Sequence, residues 1–331
     1  SVGTVLASRQ GLYPDAVGGD IGCGMLAVPL NAQFASLRRG KNAQLALDCF
    51  ARRIPVNKWP ERRLLPDSVR ARVNSTFSSL LEHDGAVQLG TLGRGNHFLE
   101  LDYSERGEVW LLLHSGSRSL GPKVRQHYRQ LAMQAGPAFG HAAVPGLLAE
   151  GQLGRDYLEA CELALCYADE NRRQLLSLAL ESLSDSLGVE GVTSEPISCV
   201  HNFLRHEDID GTRLWIHRKG ALSARAGELG IIPGSMGTES FLVEGRGNPL
   251  GLFSSSHGAG RARSRGDAFR RVTVRQLQRE MGSVAFASEA SKLLVDEAPS
   301  NYKPIGAVMR AQRELTRIRE RLRPWVVYKG V

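Results

Sequence analysis

Residues 108–116 read EVWLLLHSG. The unbroken apolar run from Val109 to Leu113 is typical of a strand buried in a core, because it is short and is bounded by polar and turn-forming residues. His114 ends this strand and is followed by serine and glycine. Small neighbours of this kind expose an imidazole and bring backbone N–H groups close to a ligand. The stretch therefore predicts a buried strand with a candidate functional histidine at its end.

Short strands, helices and glycine-rich loops alternate along the rest of the chain. Strands are predicted at SVGTVLA (1–7), MLAVPL (25–30), RLWIHRKG (213–220) and TESFLVEG (238–245), with GIIPGSMG (230–237) as the turn that joins the last two. The segment WVVYKGV (325–331) is predicted to be a terminal strand or a tail. Helices are predicted near 40–52, near 66–84 and over 153–188, the last from the spacing of Leu158, Cys161, Leu165, Leu176 and Leu180. A further basic helix is predicted from Val308, Gln312, Leu315, Ile318 and Leu322, with Pro324 ending it. We expect an α+β fold that forms a single compact domain over residues 1–331.

Composition limits the class of protein. The chain has 331 residues, of which 42% are hydrophobic and 23% charged, so a disordered or fibrous protein is excluded. No apolar run approaches the ~18 residues of a membrane-spanning helix, and we expect no membrane association. The net charge of +8 suits polyanions such as nucleic acid or nucleotides, although a merely soluble basic protein fits equally well. Five scattered cysteines, an odd number, favour a reducing compartment, and we expect a cytoplasmic location.

Carboxylate, thiol and imidazole groups occur in glycine-rich surroundings that suit a metal ion. Asp20 and Cys23 lie three residues apart in DIGCG, and His97, His114 and His201 lie among Gly, Ser and Asn. Such a donor set fits a borderline transition metal, and ligand softness alone favours Zn²⁺. His257 shares this small-residue context, whereas His83, His127 and His141 lie in ordinary surroundings and His206 and His217 are intermediate.

Three loops resemble phosphate-binding cradles: GTLGRGNH (90–97), SGSRSLG (115–121) and HGAGRARSR (257–265). Successive backbone N–H groups in such loops form concave anion sites, to which nearby arginines add charge. Neither a Walker A motif nor a dinucleotide-binding G-x-G-x-x-G before a helix is present. Each loop taken alone is also compatible with an ordinary tight turn.

Longer strings of the sequence form an ordered series. They are DIGCGM (20–25), GTLGRGNHFLEL (90–101), LLHSGSRSLG (112–121), HNF (201–203) with Glu207, HRKGALSARAGELGIIPGSMGTESFLVEG (217–245), SSHGAGRARSR (255–265), DEAPSNYKPI (296–305) and KG (329–330). These strings resemble the RtcB family of RNA-splicing ligases. They follow the family's order and span nearly the whole chain. The resemblance implies an RtcB-like α+β body with mixed sheets, surrounding helices and long glycine-rich loops around a central metal site.

The resemblance implies an RNA ligase that uses GTP and two Mn²⁺ ions. It would join RNA ending in a 2′,3′-cyclic phosphate or 3′-phosphate to a 5′-hydroxyl end, in tRNA splicing or RNA repair. Cys23 would bridge both metals, Asp20 and His97 would complete one metal site, and His114 and His201 the other. Zn²⁺ would be an inhibitor or a substitute. His257 would be the nucleophile that becomes guanylylated.

The resemblance also implies a set of nucleotide contacts. The guanylate would be held by Asn96, Glu100, His201, Asn202, Pro233, Gly234, Ser235, Met236, Ser240, His257, Gly258, Ala259, Gly260 and Lys329. Independently of the resemblance, the surplus of arginine, including Arg94, Arg118, Arg218, Arg261 and Arg265, suits contact with RNA phosphates. An activating protein similar to archease is a further partner that such a ligase could require.

Departures from the family pattern and other functions remain open at this point. Family members normally carry a further N-terminal segment, with a Pro-Asp-x-His-x-Gly stretch, ahead of the position of Ser1, so we expect this chain to lack it. Val331 follows the Lys-Gly pair at which the family usually ends. A related protein that processes RNA ends as a phosphodiesterase or nucleotidyl transferase without sealing them is one alternative. A non-catalytic RNA-binding fragment is another.

Overall fold

Seven antiparallel strands form the largest sheet. The structure, a computed structural model, describes residues 2–136, 140–141 and 144–331. In spatial order the seven strands are Leu229–Ile232, Ser240–Gly245, Thr316–Lys329, Phe98–Ser104, Glu108–Ser115, Gly24–Gln33 and Ile197–Val200. A short eighth strand, Ala285–Phe286, runs parallel to Thr316–Lys329. The sheet curls so far that its two ends meet, with Cys199 Sγ 4.0 Å from the carbonyl oxygen of Ile231, and it therefore resembles a nearly closed barrel.

Both faces of the central strands are buried. On strand Gly24–Gln33, Met25 and Ala27 point into the curled sheet, while Leu26 and Val28 belong to the core on its outer side. Alternate residues of a strand point to opposite faces, so a strand covered on both sides is apolar throughout. This explains the unbroken apolar runs MLAVPL and VWLLL, and the predicted strands there are confirmed.

Helices cover the outer face of the sheet. Helix Gln152–Leu187, predicted from its spacing, packs with helix Asn42–Arg53 on the outer core and with helix Leu120–Gln134 on a second core. It ends at Gly188, whose φ of 63° directs its N–H to the last carbonyls. The other α-helices are Pro14–Val17, Phe34–Leu37, Asp67–Arg70, Ser78–Leu80, Ala86–Gln88, Arg265–Arg271, Val274–Met281, Ser291–Leu294 and Ile305–Ala311. No described helix combines the length and the apolar character needed to cross a bilayer.

Smaller sheets and short turns complete the architecture. Strands Thr4–Ser8, Thr212–Lys219 and Asn202–Ile209 form a three-stranded sheet; Ala221–Ser223 pairs with Ser254–Ser256, Gly11–Leu12 with Leu147–Leu148, and Gly140–His141 with Val144–Pro145. The π-helix is Leu81–Gly85, and 3₁₀ turns occupy Pro249–Gly251, Ser288–Ala290, Val295–Glu297 and Pro299–Asn301. The predicted α+β class is confirmed, whereas a single domain over 1–331 stays a prediction.

The predicted basic helix near the C-terminus is wrong. Helix Ile305–Ala311 ends early, and strand Thr316–Lys329 begins five residues later and runs through Pro324. Pro324 is tolerated there because the register shifts at a bulge between Pro324 and Val326. The arginines at 317, 319, 321 and 323 have a period of two, which is typical of a strand.

Two other predicted boundaries differ from the structure. The helix expected near 66–84 is broken into Asp67–Arg70, Ser78–Leu80 and the π-helix Leu81–Gly85. The segment GIIPGSMG is not wholly a turn, because its first three residues belong to strand Leu229–Ile232.

Candidate metal and nucleotide site

Four of the five predicted metal ligands stand at one edge of the large sheet. Cys23 and His97 each directly precede a strand. His114 and His201 stand at the ends of strands Glu108–Ser115 and Ile197–Val200, which lie on either side of strand Gly24–Gln33. In an antiparallel sheet the start of one strand lies beside the end of the next, so residues distant in sequence meet at the same edge. Asp20 joins them from the loop that leads to Cys23.

The side-chain donors of these residues form one continuous group. Cys23 Sγ lies 3.5 Å from His97 Nε2 and 3.2 Å from His114 Nε2. His114 Nε2 lies 3.3 Å from His201 Nε2, and Asp20 Oδ2 lies 3.1 Å from His97 Nε2. Cys23, His97 and His114 are all buried, and their donor atoms lie within 4.8 Å of one another. The thiol therefore stands between the two imidazoles.

Backbone contacts fix the direction of two rings. His97 Nδ1 lies 3.0 Å from the carbonyl oxygen of Leu92, and His114 Nδ1 lies 3.0 Å from that of Asn96. A carbonyl only accepts hydrogen bonds, so each Nδ1 carries a proton and each Nε2 is the nitrogen that faces the cluster. This outer hydrogen bond is typical of histidines that bind metals.

The protonation states of the histidines also suit a cation. Burial, with the neighbouring histidines, lowers the pKa of His114 and of His201 well below the usual value, so both rings are neutral at pH 7. Burial would raise the pKa of Asp20, but hydrogen bonds from His97 and Ser117 outweigh it and keep the carboxylate ionised. Burial raises the pKa of the Cys23 thiol, and a metal ion would displace that proton. The donor set therefore fits a divalent transition metal.

One glycine makes this geometry accessible. Gly93 has a φ of 95°, and a Cβ atom there would collide with His97 Nδ1 and with the guanidinium of Arg118. Glycine alone combines this left-handed conformation with such a close approach. The loop GTLGRGNH thus packs against the ring of His97.

A cavity of about 740 Å³ opens beside the cluster. His257 lies on its wall, and its ring centroid is 4.8 Å from that of His201. Twelve of the fourteen predicted nucleotide contacts line the cavity: Asn96, Glu100, Pro233, Gly234, Ser235, Met236, Ser240, His257, Gly258, Ala259, Gly260 and Lys329. The structure therefore brings these residues together, although their contact with a nucleotide stays a prediction.

The other two predicted contacts do not line the cavity. His201 faces His114, as described above. The Asn202 amide donates to the carbonyl oxygen of Asp20 at 2.9 Å and accepts the N–H of Gly220 at 2.9 Å. Asn202 thus joins the loop of Asp20 to the segment that follows strand Thr212–Lys219.

The cavity wall also contains a buried ion cluster that was not predicted from the sequence. Glu297 accepts hydrogen bonds from Lys329 Nζ and the Tyr302 hydroxyl, each at 2.7 Å, and from Arg265 at 2.9 Å. Burial would raise the pKa of Glu297, but Lys329, Tyr302 and Arg265 outweigh it and lower the pKa to about 2. The available signal in the sequence was the pair of adjacent carboxylates Asp296 and Glu297.

One arginine expected to contact RNA is unable to do so. Arg218 is fully buried and bonds to both carboxylate oxygens of Glu207 and to Ser254. The guanidinium of Arg218 is buried in an ion pair with Glu207, so its predicted contact with RNA phosphate is wrong. Arg94 is exposed, and Arg261 and Arg265 line the cavity.

Comparison with known proteins identifies the family of the chain. The family model described as "tRNA-splicing ligase RtcB" matches residues 66–330. The RNA-splicing ligase RtcB of Escherichia coli (strain K12) is 34% identical over 355 residues, which cover 100% of this chain and 86% of that protein. The tRNA-splicing ligase RtcB of Aeropyrum pernix is 32% identical, covering 78% of this chain and 62% of its own length. That of Thermococcus kodakarensis is 33% identical, covering 74% and 60%.

Fold, site and similarity together define an RNA ligase of α+β architecture. The chain belongs to the RtcB family of RNA-splicing ligases.

Proposed function

We propose that this protein is a GTP- and manganese-dependent ligase that joins RNA ends carrying a 2′,3′-cyclic phosphate or 3′-phosphate to 5′-hydroxyl ends, in tRNA splicing or RNA repair. The observation that carries the proposal is the position of His257. Its imidazole lies on the wall of a nucleotide-sized cavity and next to His201 of the metal-ligand cluster. A nucleophile beside a cation site is the arrangement that nucleotidyl transfer requires.

Five residues would hold two Mn²⁺ ions. Cys23 would bridge the ions, with Asp20 and His97 on one side and His114 and His201 on the other, in keeping with the distances above. When bound, the metals supply charge neutralisation at the phosphate. Thiolate and imidazole also bind Zn²⁺ well, so Zn²⁺ is the expected competitor.

His257 would accept the guanylate. Burial lowers the pKa of His257, which keeps the ring neutral and its lone pair available at pH 7. A ring nitrogen would form a bond to the α-phosphorus of GTP as the bond to the pyrophosphate oxygen breaks. The guanylate would then pass to the RNA 3′-phosphate, and the 5′-hydroxyl oxygen would displace GMP with loss of its proton. A cyclic phosphate end would first be opened by water.

Charged groups of the cavity suit an anionic substrate. Lys329, Arg261 and Arg265 line it, and Glu297 holds all three in place through ion pairs. RNA ends therefore fit as partners, and phosphate contacts of this kind weaken with added salt.

Covalent labelling tests the proposal. The protein would be incubated with Mn²⁺ and GTP labelled at the α-phosphate, and label retained after denaturation would be measured. We expect wild type to be labelled, His257→Ala to lose the label and His206→Ala to keep it, because His206 is exposed and stacks on Trp215 outside the cavity. Equal labelling of wild type and His257→Ala would exclude the nucleophile. In a separate assay with RNA that carries a 2′,3′-cyclic phosphate, ends that are opened but not joined would favour the end-processing alternative.

A further inference from the structure

Two polar residues lie fully buried in the middle of the longest helix. Asn171 and Arg172 belong to helix Gln152–Leu187, and their exposed fractions are 0% and 1%. Most of their buried neighbours on this helix are apolar or small, so their polar groups need partners on other elements. Those partners are the loops that carry the candidate metal ligands.

Arg172 connects the segments of two ligands. Its guanidinium donates hydrogen bonds from Nη1 to the carbonyl oxygen of Gly22 at 2.7 Å and to that of Ser115 at 3.1 Å. Gly22 directly precedes Cys23, and Ser115 directly follows His114. One rigid planar group therefore spans the backbone next to both ligands.

Asn171 extends the same support to a third ligand. Its side-chain oxygen accepts the N–H of Gly90 at 2.7 Å, and its amide donates to Ser115 Oγ at 3.0 Å. That hydroxyl donates in turn to the carbonyl oxygen of Leu92, the group that fixes the ring of His97. The two helix residues thus reach the surroundings of Cys23, His114 and His97.

Close packing makes this connection stiff. Gly22 has a φ of 80°, and a Cβ atom there would lie 2.9 Å from Ala168 Cβ of the same helix. The helix backbone and the loop before Cys23 are therefore in direct contact, and Arg172 has little freedom to shift.

A contribution to stability alone does not explain why Arg172 is buried at this position. Its nearest carboxylate, on Asp169, is 3.9 Å away and half-exposed, and its Nε has no hydrogen-bond partner within the described part of the chain. Burying a charge with so weak a counter-ion is unfavourable. The hydrogen bonds to the carbonyl oxygens of Gly22 and Ser115 offset only part of that cost.

We propose that Arg172, supported by Asn171, is a positioning residue that sets the separation of Cys23 and His114 required for divalent metal binding. The inference rests on the proposed metal site. Outer hydrogen bonds that orient metal ligands typically contribute 10–100-fold in affinity. Arg172 acts through backbone carbonyls and touches no reacting atom.

Metal affinity in folded variants tests this role. Arg172→Met removes both hydrogen bonds while keeping an apolar stem, and Arg173→Met is the matched control, because Arg173 is the next residue of the helix and is exposed. Full-length proteins freed of metal with a chelator would be titrated with Mn²⁺, and free Mn²⁺ would be followed by electron paramagnetic resonance. A parallel titration with Co²⁺ would record the thiolate-to-cobalt charge-transfer band. We expect the Arg172→Met Kd to rise about 10- to 100-fold with a weakened band, and Arg173→Met to match wild type.

The outcomes separate positioning from a structural role. A lower melting temperature with wild-type Kd and an unchanged band in folded Arg172→Met would overturn the inference and leave the proposed function intact. If Arg172→Met does not fold by circular dichroism, Arg172→Gln decides, since its side-chain amide is two atoms shorter than the guanidinium and does not reach both carbonyl oxygens; a Kd within about twofold of wild type would then refute positioning. A wild-type protein that binds neither Mn²⁺ nor Co²⁺ would remove the metal site and this inference with it.

Discussion

Asp102 is a carboxyl group buried inside the curled sheet. It is fully inaccessible to solvent, and neither of its oxygens has a hydrogen-bond partner among residues 2–136, 140–141 and 144–331. Its cross-strand neighbours are Trp110 and Pro324, and neither side chain bonds to it. Burial raises the pKa of Asp102 to about 8, so the folded protein keeps this group protonated at neutral pH.

The raised pKa predicts that Asp102→Asn stabilises the protein in alkaline solution. The unfolded chain releases this proton near pH 4, whereas the folded state holds it up to about pH 8, so wild type loses stability as pH rises between these values. An amide cannot ionise and removes that loss. We expect similar free energies of unfolding for wild type and variant near pH 4, and an advantage for Asp102→Asn on the order of several kcal/mol at pH 8. Urea unfolding across this range measures the difference.

A surface carboxyl provides the matched control for that experiment. Asp48 lies on the exposed side of helix Asn42–Arg53, and Asp48→Asn should leave the pH dependence unchanged. If the free energy of unfolding varied with pH in the same way for wild type and Asp102→Asn, the prediction would be wrong, because the buried carboxyl would then ionise as freely in the folded protein as in the unfolded chain.

Strand Thr316–Lys329 supplies a prediction at the scale of an element. On a helix or on a regular strand, Ile318 and Leu322 would share one face, because they are four residues apart. In this strand the register shift opposite Leu242 and Val243 lies between them and turns Ile318 to the other face. In the structure Leu322 is fully buried in the interior of the curled sheet, whereas Ile318 is 38% exposed. We expect Leu322→Ala to cost about 2–5 kcal/mol in free energy of unfolding and Ile318→Ala about 1 kcal/mol or less. Equal costs in chemical denaturation would contradict the bulge that places Ile318 and Leu322 on opposite faces of the strand.

The same segment shows where local pattern ceased to be informative. The apolar residues, three and four apart, fitted a helix, whereas the alternating arginines fitted a strand. Pairing with strands Ser240–Gly245 and Phe98–Ser104 selects the extended form. By contrast, strand Glu108–Ser115 was predictable because five consecutive apolar residues leave few alternatives.

The candidate site was predictable to a similar, limited degree. His97, His114, His201 and His257 were distinguished by their small neighbours, but their convergence depends on the order of strands in the sheet, which local spacing does not encode. Arg172 was hidden in a helical pattern that only indicates packing, since its partners are backbone carbonyls far along the chain.

At the scale of the whole molecule, the metal-ligand cluster joins distant parts of the chain. Asp20 and Cys23, His97, His114 and His201 come from four segments that meet at one sheet edge, and helix Gln152–Leu187 supports them from behind. An unfolded chain holds these groups far apart and cannot bind an ion through all of them. Metal binding at this edge should therefore favour the folded state as a whole.

The last prediction follows from that linkage: Mn²⁺ should raise the melting temperature of wild type and not that of Cys23→Ser. A ligand at a hundredfold excess over its Kd adds about 2.7 kcal/mol to the free energy of unfolding, which for a chain of this size is a rise of several degrees. Cys23→Ser removes the group that stands between His97 and His114, so its melting temperature should barely respond to Mn²⁺. Cys199→Ser is the control, because Cys199 lies on the neighbouring strand outside the cluster and should respond like wild type. Calorimetry with and without Mn²⁺ measures all three proteins, and an equal rise in Cys23→Ser would place the stabilising ion elsewhere on the molecule.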